Sequence, residues 1–449
     1  MRKILKGICF RLKNSSKISL RMKKLLINGI TVFGSKIVTM LISVLSLPLT
    51  LNYLGAERFG MLETIVSVVA FINFADLGIG FGLQNRINEL KNGTKPNSLQ
   101  SAISSVFYVL LIISSILLIF FYFLFPKLDW QYIFNVHSNL AIEESYKAIW
   151  FFCICFIFQI PFSVVQKIQI GELNGFISEI FKSVGNICGL ISLLIVVHLN
   201  LGLPFLILAI YGSNSFFLII NFVFEFFFRQ KHLKPKILLI DFQILSFLIK
   251  DGIVFFLLQF FYIILASSDR IIISHFISPM AVAVYSVGFR LATLFSTPVE
   301  AFTLPLLPAL NDASENNDSS WITNVLVNGI KLIIAVSVTS GVLLILFGNA
   351  ILRFWIGGNM ELELNLLLAF GGYIVYSNFN SLLSYTMLTP KFILEILPIY
   401  IVSVSVAILA KVYLINNFGI SAMLWSTIIC MTLFYFIPCL KKLKRVNFI

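Results

Sequence analysis

Charge is scarce in this sequence, and histidine scarcer. Asp, Glu, Lys and Arg together make up 12% of 449 residues, and the mean hydropathy is +0.96. A soluble chain of this length needs a charged share of roughly twice that to cover its exterior, so a water-soluble globule is excluded and an integral membrane protein is expected. The four histidines (His137, His198, His232, His275) are scattered over different segments and form no zinc-ligand pair at i,i+4. No Gly-rich phosphate loop of the Walker type occurs. The six cysteines (Cys9, Cys153, Cys155, Cys188, Cys430, Cys439) lie in or beside apolar runs without metal-like grouping, the pattern of small buried hydrophobes rather than of disulfides or ligands. Pro126 to Tyr146, the longest connection expected on the non-cytoplasmic side, is too short to form a catalytic domain. No catalytic residues, metal site or cofactor is expected.

Apolar length is what the chain has in abundance. Runs of roughly 20 apolar residues, the number that crosses a bilayer, fall near 25–51, 60–86, 101–125, 147–171, 177–198, 203–228, 246–270, 279–309, 322–347, 364–388, 393–414 and 419–440. Twelve crossings put both termini on one side. The net charge of +13 arises from bases that flank these spans, which points to lipid headgroups and membrane orientation rather than to nucleic acid. Of the 33 Lys and Arg, 23 fall on the side that holds the termini, 5 on the other side and 5 inside spans. That bias predicts that both termini are cytoplasmic. The Asn311–Ser320 loop, acidic and without a base, runs against the bias, but acids contribute little to orientation. The basic first 24 residues lack the apolar core and cleavage site of a signal peptide. They read equally as a cytoplasmic arm or as an over-extended start before Met22.

The widest hydrophilic break, Arg229–Asp241, lies near the midpoint. It divides the chain into a basic arm (1–24), a first lobe (25–228), a cytoplasmic linker (229–245), a second lobe (246–440) and a basic tail (441–449). The lobes echo one another. A shift of 223 residues places Tyr53-Leu54 on Phe276-Ile277 and Phe59-Gly60-Met61 on Val282-Ala283-Val284. Farther along, Asn200-Leu201-Gly202-Leu203 matches Asn417-Phe418-Gly419-Ile420. Copies with an even number of spans share one topology. The expected fold is therefore all-α, twelve transmembrane helices in two six-helix lobes related by a pseudo-two-fold axis along the membrane normal, with a substrate site between them.

Polar residues inside the spans narrow the function. Asp76 lies about thirteen residues into its segment, where an ionised group without a partner costs roughly 2.5–3.5 kcal/mol. Span eight carries Ser286, Arg290, Thr293, Thr297 and Glu300 along one helix face. A guanidinium at mid-depth must meet water or a partner, so Arg290 faces either a central cavity or an ion pair with Glu300 or Asp269. Lys36 and Lys331 are further cavity candidates, although a lysine one or two turns inside a span can also snorkel outward. Arg86 is placed at the cytoplasmic mouth, and Asp269-Arg270 closes span seven. Ser and Thr stripes such as Thr31, Ser35 and Thr39 fit close helix packing. Gln159, Ser163 and Gln166 in span four, with Ser377, Asn380 and Ser384 in span ten, complete the polar set.

The stretch Tyr53-Leu54-Gly55-Ala56-Glu57-Arg58-Phe59-Gly60, followed by Phe74-Ala75-Asp76-Leu77-Gly78, resembles the N-terminal signature of O-antigen and polysaccharide repeat-unit flippases (Wzx-type) of the multidrug/oligosaccharidyl-lipid/polysaccharide exporter superfamily. Asp269-Arg270-Ile271 and Val284-Tyr285-Ser286-Val287-Gly288-Phe289-Arg290 resemble the second-half copy. The likeness extends from about residue 25 to the end of the chain. Leu62 stands where the signature commonly has an aromatic, and the two further spans usual in lipid II flippases are not found. The resemblance implies a flippase, not an enzyme, that moves an undecaprenyl-diphosphate-linked oligosaccharide across the membrane for O-antigen or capsule synthesis, with membrane lipids around it and a polysaccharide polymerase and chain-length regulator as partners. Under it, Arg290, Lys36, Lys331 and Arg86 line the cavity for the diphosphate, while Asp76, Asp269 and Glu300 balance charge or couple an ion. A multidrug/cation antiporter of the same fold and, more distantly, a membrane-embedded polysaccharide polymerase or ligase remain as alternatives.

Overall fold

The computed structural model describes residues 20–71, 76–91, 98–303, 319–357, 360–387 and 390–445. Among these the chain is helical throughout, without a strand. Nine segments among the described residues are long and apolar enough to cross a membrane, and two of them, Thr31–Val69 and Leu394–Lys441, run to 39 and 48 residues. At 1.5 Å per residue either exceeds a hydrocarbon core of about 30 Å by a wide margin, so each must turn within its length.

The turns fall at glycines. Helix α1 (Leu20–Val69) bends at Gly55, whose φ of 75° and ψ of 168° suit only a residue without a Cβ. The connection was expected there. α-Helical geometry ends at Val69 and resumes in α2 (Ile79–Lys91), where an unbroken span over 60–86 was expected. The interruption has a local cause. Leu77 and Gly78 take left-handed backbone (φ 48° and 78°), and the Asp76 carboxylate accepts from the Gly78 N–H at 3.1 Å while its carbonyl accepts from Ile79 N–H at 2.9 Å. Asp76 caps the new helix.

The first half continues through α3 (Ser98–Leu124), α4 (Trp130–Phe134), α5 (Asn139–Phe162), α6 (Val164–Gly171), α7 (Phe176–Leu199) and α8 (Leu203–Arg229). The second half comprises α9 (Phe242–Phe276), α10 (Pro279–Thr303), α11 (Ser319–Ile356), α12 (Leu364–Met387), α13 (Pro390–Phe418) and α14 (Ala422–Met431). Outward faces are apolar, as on α3, where Leu111, Ile112, Ile116, Ile119, Phe120 and Phe123 are all exposed. In water such a face could not persist; against acyl chains it is the required surface. Between helices the contacts are polar and small. Ser183 bonds Ser35 and Asn186 bonds Thr39, each at 3.0 Å, joining α7 to α1. Asn378 donates to Ser337 at 2.9 Å, joining α12 to α11. The Ser/Thr stripe of the first span thus serves helix packing.

The segment between the halves is pinned along α3. Gln100 and Ser101 side chains donate to the carbonyls of Lys234 (2.9 Å) and Leu239 (2.6 Å), and the N–H groups of Lys236 and Asp241 donate to Ser104 and Ser105. The halves meet in two separate zones. In one, α1 lies against α10 so closely that a Cβ on Gly60 would stand 1.7 Å from the Pro279 carbonyl oxygen; nearby, Asn135 donates to Ser274 and Trp355 donates to the Val44 carbonyl. In the other, α2 lies against α9, with Gly82 on Leu248 and Gly252 on Gly78, each leaving 2.0 Å between a hypothetical Cβ and the facing carbonyl oxygen. The first zone lies at the end carrying the Asn135 loop, the second at the end carrying the basic 229–241 segment.

Candidate functional site

Two polar features occupy the interior. The first is a cavity of about 500 Å³ whose wall comes mainly from α5, α6, α7 and α8, with Asp76 and Phe81 at the interrupted span and Gln259 and Ile263 from α9. Amides dominate its polar wall: Gln159, Gln166, Asn186, Asn214, Asn221 and Gln259. Phe156, Phe181 and Tyr211 supply aromatic surface, and Lys167 and Lys182 supply positive charge against the carboxylate of Asp76. The Lys167 ammonium sits 3.5 Å from the Phe81 ring centroid, a cation–π contact that holds it at the break between α1 and α2. Its aliphatic stem, with the Asp76 carboxylate, packs over Gly80, where a Cβ would come within 3.1 Å of both.

The second feature is a charge cluster across the zone where α1 meets α9 and α10. Glu63 of the first half offers one carboxylate oxygen to Arg290 at 2.5 Å and the other to Arg270 at 3.3 Å, both from the second half. The carboxylate is buried, at 5% exposure, whereas the side chains of Arg270 and Arg290 keep 18% and 29%. Arg270 is fixed within its own half: its Nε donates to Ser286 at 3.1 Å and its guanidinium lies over the Phe289 ring. Arg290 reaches across, to Glu63 and to the face of Phe59. Glu63 lies eight residues beyond the Gly55 bend, roughly 12 Å along the helix at 1.5 Å per residue, well inside the span. Tyr211, on the cavity wall, is close enough to feel the charges of Glu63, Arg270 and Arg290, so the two features adjoin.

Arg290 thus finds an ion pair, though its partner is Glu63 and not Asp269. Asp269 turns instead into the second half, where Tyr285 donates to it at 2.5 Å and the fully buried Lys411 ammonium lies 2.6 Å away, also donating to the Leu265 carbonyl. Lys36 is exposed on α1 beside the Ser35 contact, and Lys331 is exposed on α11; neither lines the cavity. Arg86 pairs with Glu89 at 2.6 Å and lies over the Phe247 ring, also off the cavity wall. Asp76 does line it. The Glu300 side chain and residues 304–318, which include most of the acidic loop, lie outside the described residues. No group of three or more His, Cys, Asp or Glu able to hold a metal occurs among the described residues. Glu63, Lys167, Lys182 and the amides of α7 and α8 were not singled out in the sequence. A carboxylate in an apolar run was the available signal for Glu63, the same one that drew attention to Asp76.

These features define an all-helical, multi-pass membrane protein of the transporter fold found in multidrug exporters and a lipid II flippase. An inward-facing multidrug resistance MATE family transporter of the MOP superfamily superposes with a TM-score of 0.71 at 12% identity, over 96% of each chain. The lipid II flippase MurJ in an inward closed conformation superposes at 0.66 and 17% identity, over 93% of this chain and 87% of its own. A family model described as Polysaccharide biosynthesis protein matches residues 25–314, and the chain belongs to that family. Among its relatives are a protein of Salmonella typhi named O-antigen transporter, 26% identical over 57% of this chain and 58% of the relative, and one of Yersinia pseudotuberculosis named O-antigen export protein, 23% identical over 63% and 64%. Each match covers less than two thirds of the relative's length.

Proposed function

We propose that this chain is a flippase that carries a lipid-linked oligosaccharide, joined to its lipid through a diphosphate, across the bacterial inner membrane for surface polysaccharide synthesis. The observation that carries the reading is the amide-lined, net-positive cavity beside a guanidinium pair inside an apolar bundle. Amides donate to and accept from sugar hydroxyls, aromatic faces cover the apolar faces of sugar rings, and the cations offset a diphosphate that hydrocarbon would otherwise reject. The lipid tail stays in the bilayer while the headgroup crosses. Relatives named for O-antigen transport and export support the substrate class. A cation exporter fits the site less well, since among the described residues Asp76 is the one carboxylate facing two lysines in the cavity.

In this reading the two overlong segments each make two crossings, and with Leu364–Met387 the count reaches twelve, in lobes 25–228 and 246–440 around the 229–245 linker. The basic linker and both termini face the cytoplasm. Asp76 balances the cavity lysines and Asp269 balances Lys411. Lys36, Arg86 and Lys331 act at the approaches, where lipid headgroups enter, and Glu300 is kept as a charge-balancing candidate. A polymerase and a chain-length regulator take the product on the far side.

The test is surface polysaccharide in cells lacking the chain, complemented with wild type, Lys167→Ala or Arg290→Ala. Deletion is expected to abolish display and to accumulate the lipid-linked precursor, and each variant to insert normally yet restore display to well below half. Full-length surface polysaccharide in the deletion strain, without retained precursor, would overturn the reading.

A further inference from the structure

Glu63, Arg270 and Arg290 leave a residue of charge: two guanidiniums share a single carboxylate, so the cluster is net positive by one. The carboxylate divides its two oxygens between them and gives neither a bidentate partner. A guanidinium presents a planar fork of donors suited to two oxygens of one anion, and half of that capacity is unused on each arginine in these contacts. Access is one-sided as well. Glu63 is sealed, whereas both arginines keep an open edge, so an arriving anion meets the guanidiniums before the carboxylate.

We propose that Arg270 and Arg290 form a diphosphate-binding site that Glu63 occupies in this structure as an internal stand-in, and that a diphosphate displaces Glu63 and so releases the contact between the halves. The inference rests on the reading of this protein as a flippase and names the trigger for its opening. The geometry favours exchange over simple addition. A diphosphate diester brings about two negative charges and offers each guanidinium its own phosphoryl group, which matches the cluster better than one carboxylate does. Arg270 keeps its place when Glu63 leaves, because Ser286 and Phe289 hold it from within its own half. Arg290 does not, since Glu63 and Phe59, the partners it reaches, are both in the first half. Displacement therefore removes a tie across the interface and leaves the ligand on the second half. Separation of α1 from α10 then lets water reach the freed carboxylate, which offsets the cost of a buried charge without a partner.

The experiment uses the purified full-length protein in lipid nanodiscs with inorganic pyrophosphate as the probe. Spin labels at Lys127 and Phe354, exposed positions near the Asn135-loop end of the first and second halves, report the separation. Pyrophosphate is expected to lengthen the distance in wild type. Glu63→Gln, which keeps the shape and removes the competing charge, is expected to bind pyrophosphate about tenfold more tightly and to show the longer distance without it. Unchanged affinity together with an unchanged distance in that variant overturns the proposal. Should Glu63→Gln fail to fold, the exchange Glu63→Arg with Arg290→Glu rebuilds two guanidiniums around one carboxylate. One guanidinium then stands on each half, so pyrophosphate bridges the halves instead of parting them: the short distance is expected both without and with pyrophosphate, and an exchange variant that folds but lengthens in pyrophosphate overturns the proposal. Both readouts use pyrophosphate and no sugar-bearing lipid, so they separate this inference from the flippase reading, which surface display tests on its own.

Discussion

At the scale of single residues, the interior charges differ in what surrounds them. Lys411 and Asp269 neutralise each other inside one half, with Tyr285 and the Leu265 carbonyl completing the contacts. Removing one partner strands the other in a medium that cannot solvate it, at a cost of about 3–5 kcal/mol. Lys411→Met is therefore expected to lower the thermal midpoint of the purified protein markedly, and adding Asp269→Asn to recover most of the loss. An unaltered midpoint in the single variant would mean that Asp269 is not balanced by Lys411. The sequence showed that Arg290 lies at a depth where a bare charge is costly and put Asp269 at a span end, but not where each would find its counter-charge. Glu63 and Arg290 are 227 positions apart, and Asp269 and Lys411 are separated by most of the second half. Depth follows from local hydrophobicity, whereas partnership follows from which helices pack. Lys167 was hidden for a related reason: it sits near a span end, where counting assigns a lysine to the loop, yet the path of α6 folds it back over Gly80 and Phe81.

At the scale of elements, the turns were legible and the interruption was not. Gly55, Gly202 and Gly419 all take positive φ, at or beside the junctions that hydropathy placed between spans. The two Asn-x-Gly turns that looked alike differ in detail: Asn200 and Gly202 are both left-handed in the first, whereas Gly419 alone takes positive φ in the second. The break at Leu77–Gly78 escaped notice because its flanks are as apolar as the spans themselves, and hydropathy does not register backbone direction. Glycines there serve close approach, and this gives a test. Gly82→Val puts side-chain atoms where the Leu248 carbonyl lies, so a cysteine placed at Leu248, buried in the native protein, is expected to react with maleimide several-fold faster in that background. Gly60→Val is expected to do the same for a cysteine at Val282, at the opposite end. Equal labelling with and without the valines would mean that neither contact holds the halves together.

At the scale of the whole molecule, composition alone carried the membrane class. The charge bias carries a topology that labelling can check: cysteines at Lys234 and Leu238 are expected to react with an impermeant maleimide only after the inner membrane is breached, and one at Lys127 to react in intact spheroplasts. The reverse pattern would invert the orientation. The internal likeness between the halves was visible at a few motif positions, enough to suggest a twofold plan. What sequence could not supply is the division of the polar interior, with the cavity wall drawn mainly from the first half of the chain and the guanidiniums from the second.

The interrupted helix has a mechanical corollary. One crossing touches the opposite half twice, through Gly60 above the discontinuity and through Gly82 below it, and a rod of unbroken α-helix would transmit any tilt from one contact to the other. A joint at Leu77 and Gly78 stops that transmission. In the flippase reading proposed above, either clasp can then part while its counterpart stays fastened, so the vestibule need never gape toward both aqueous compartments at once.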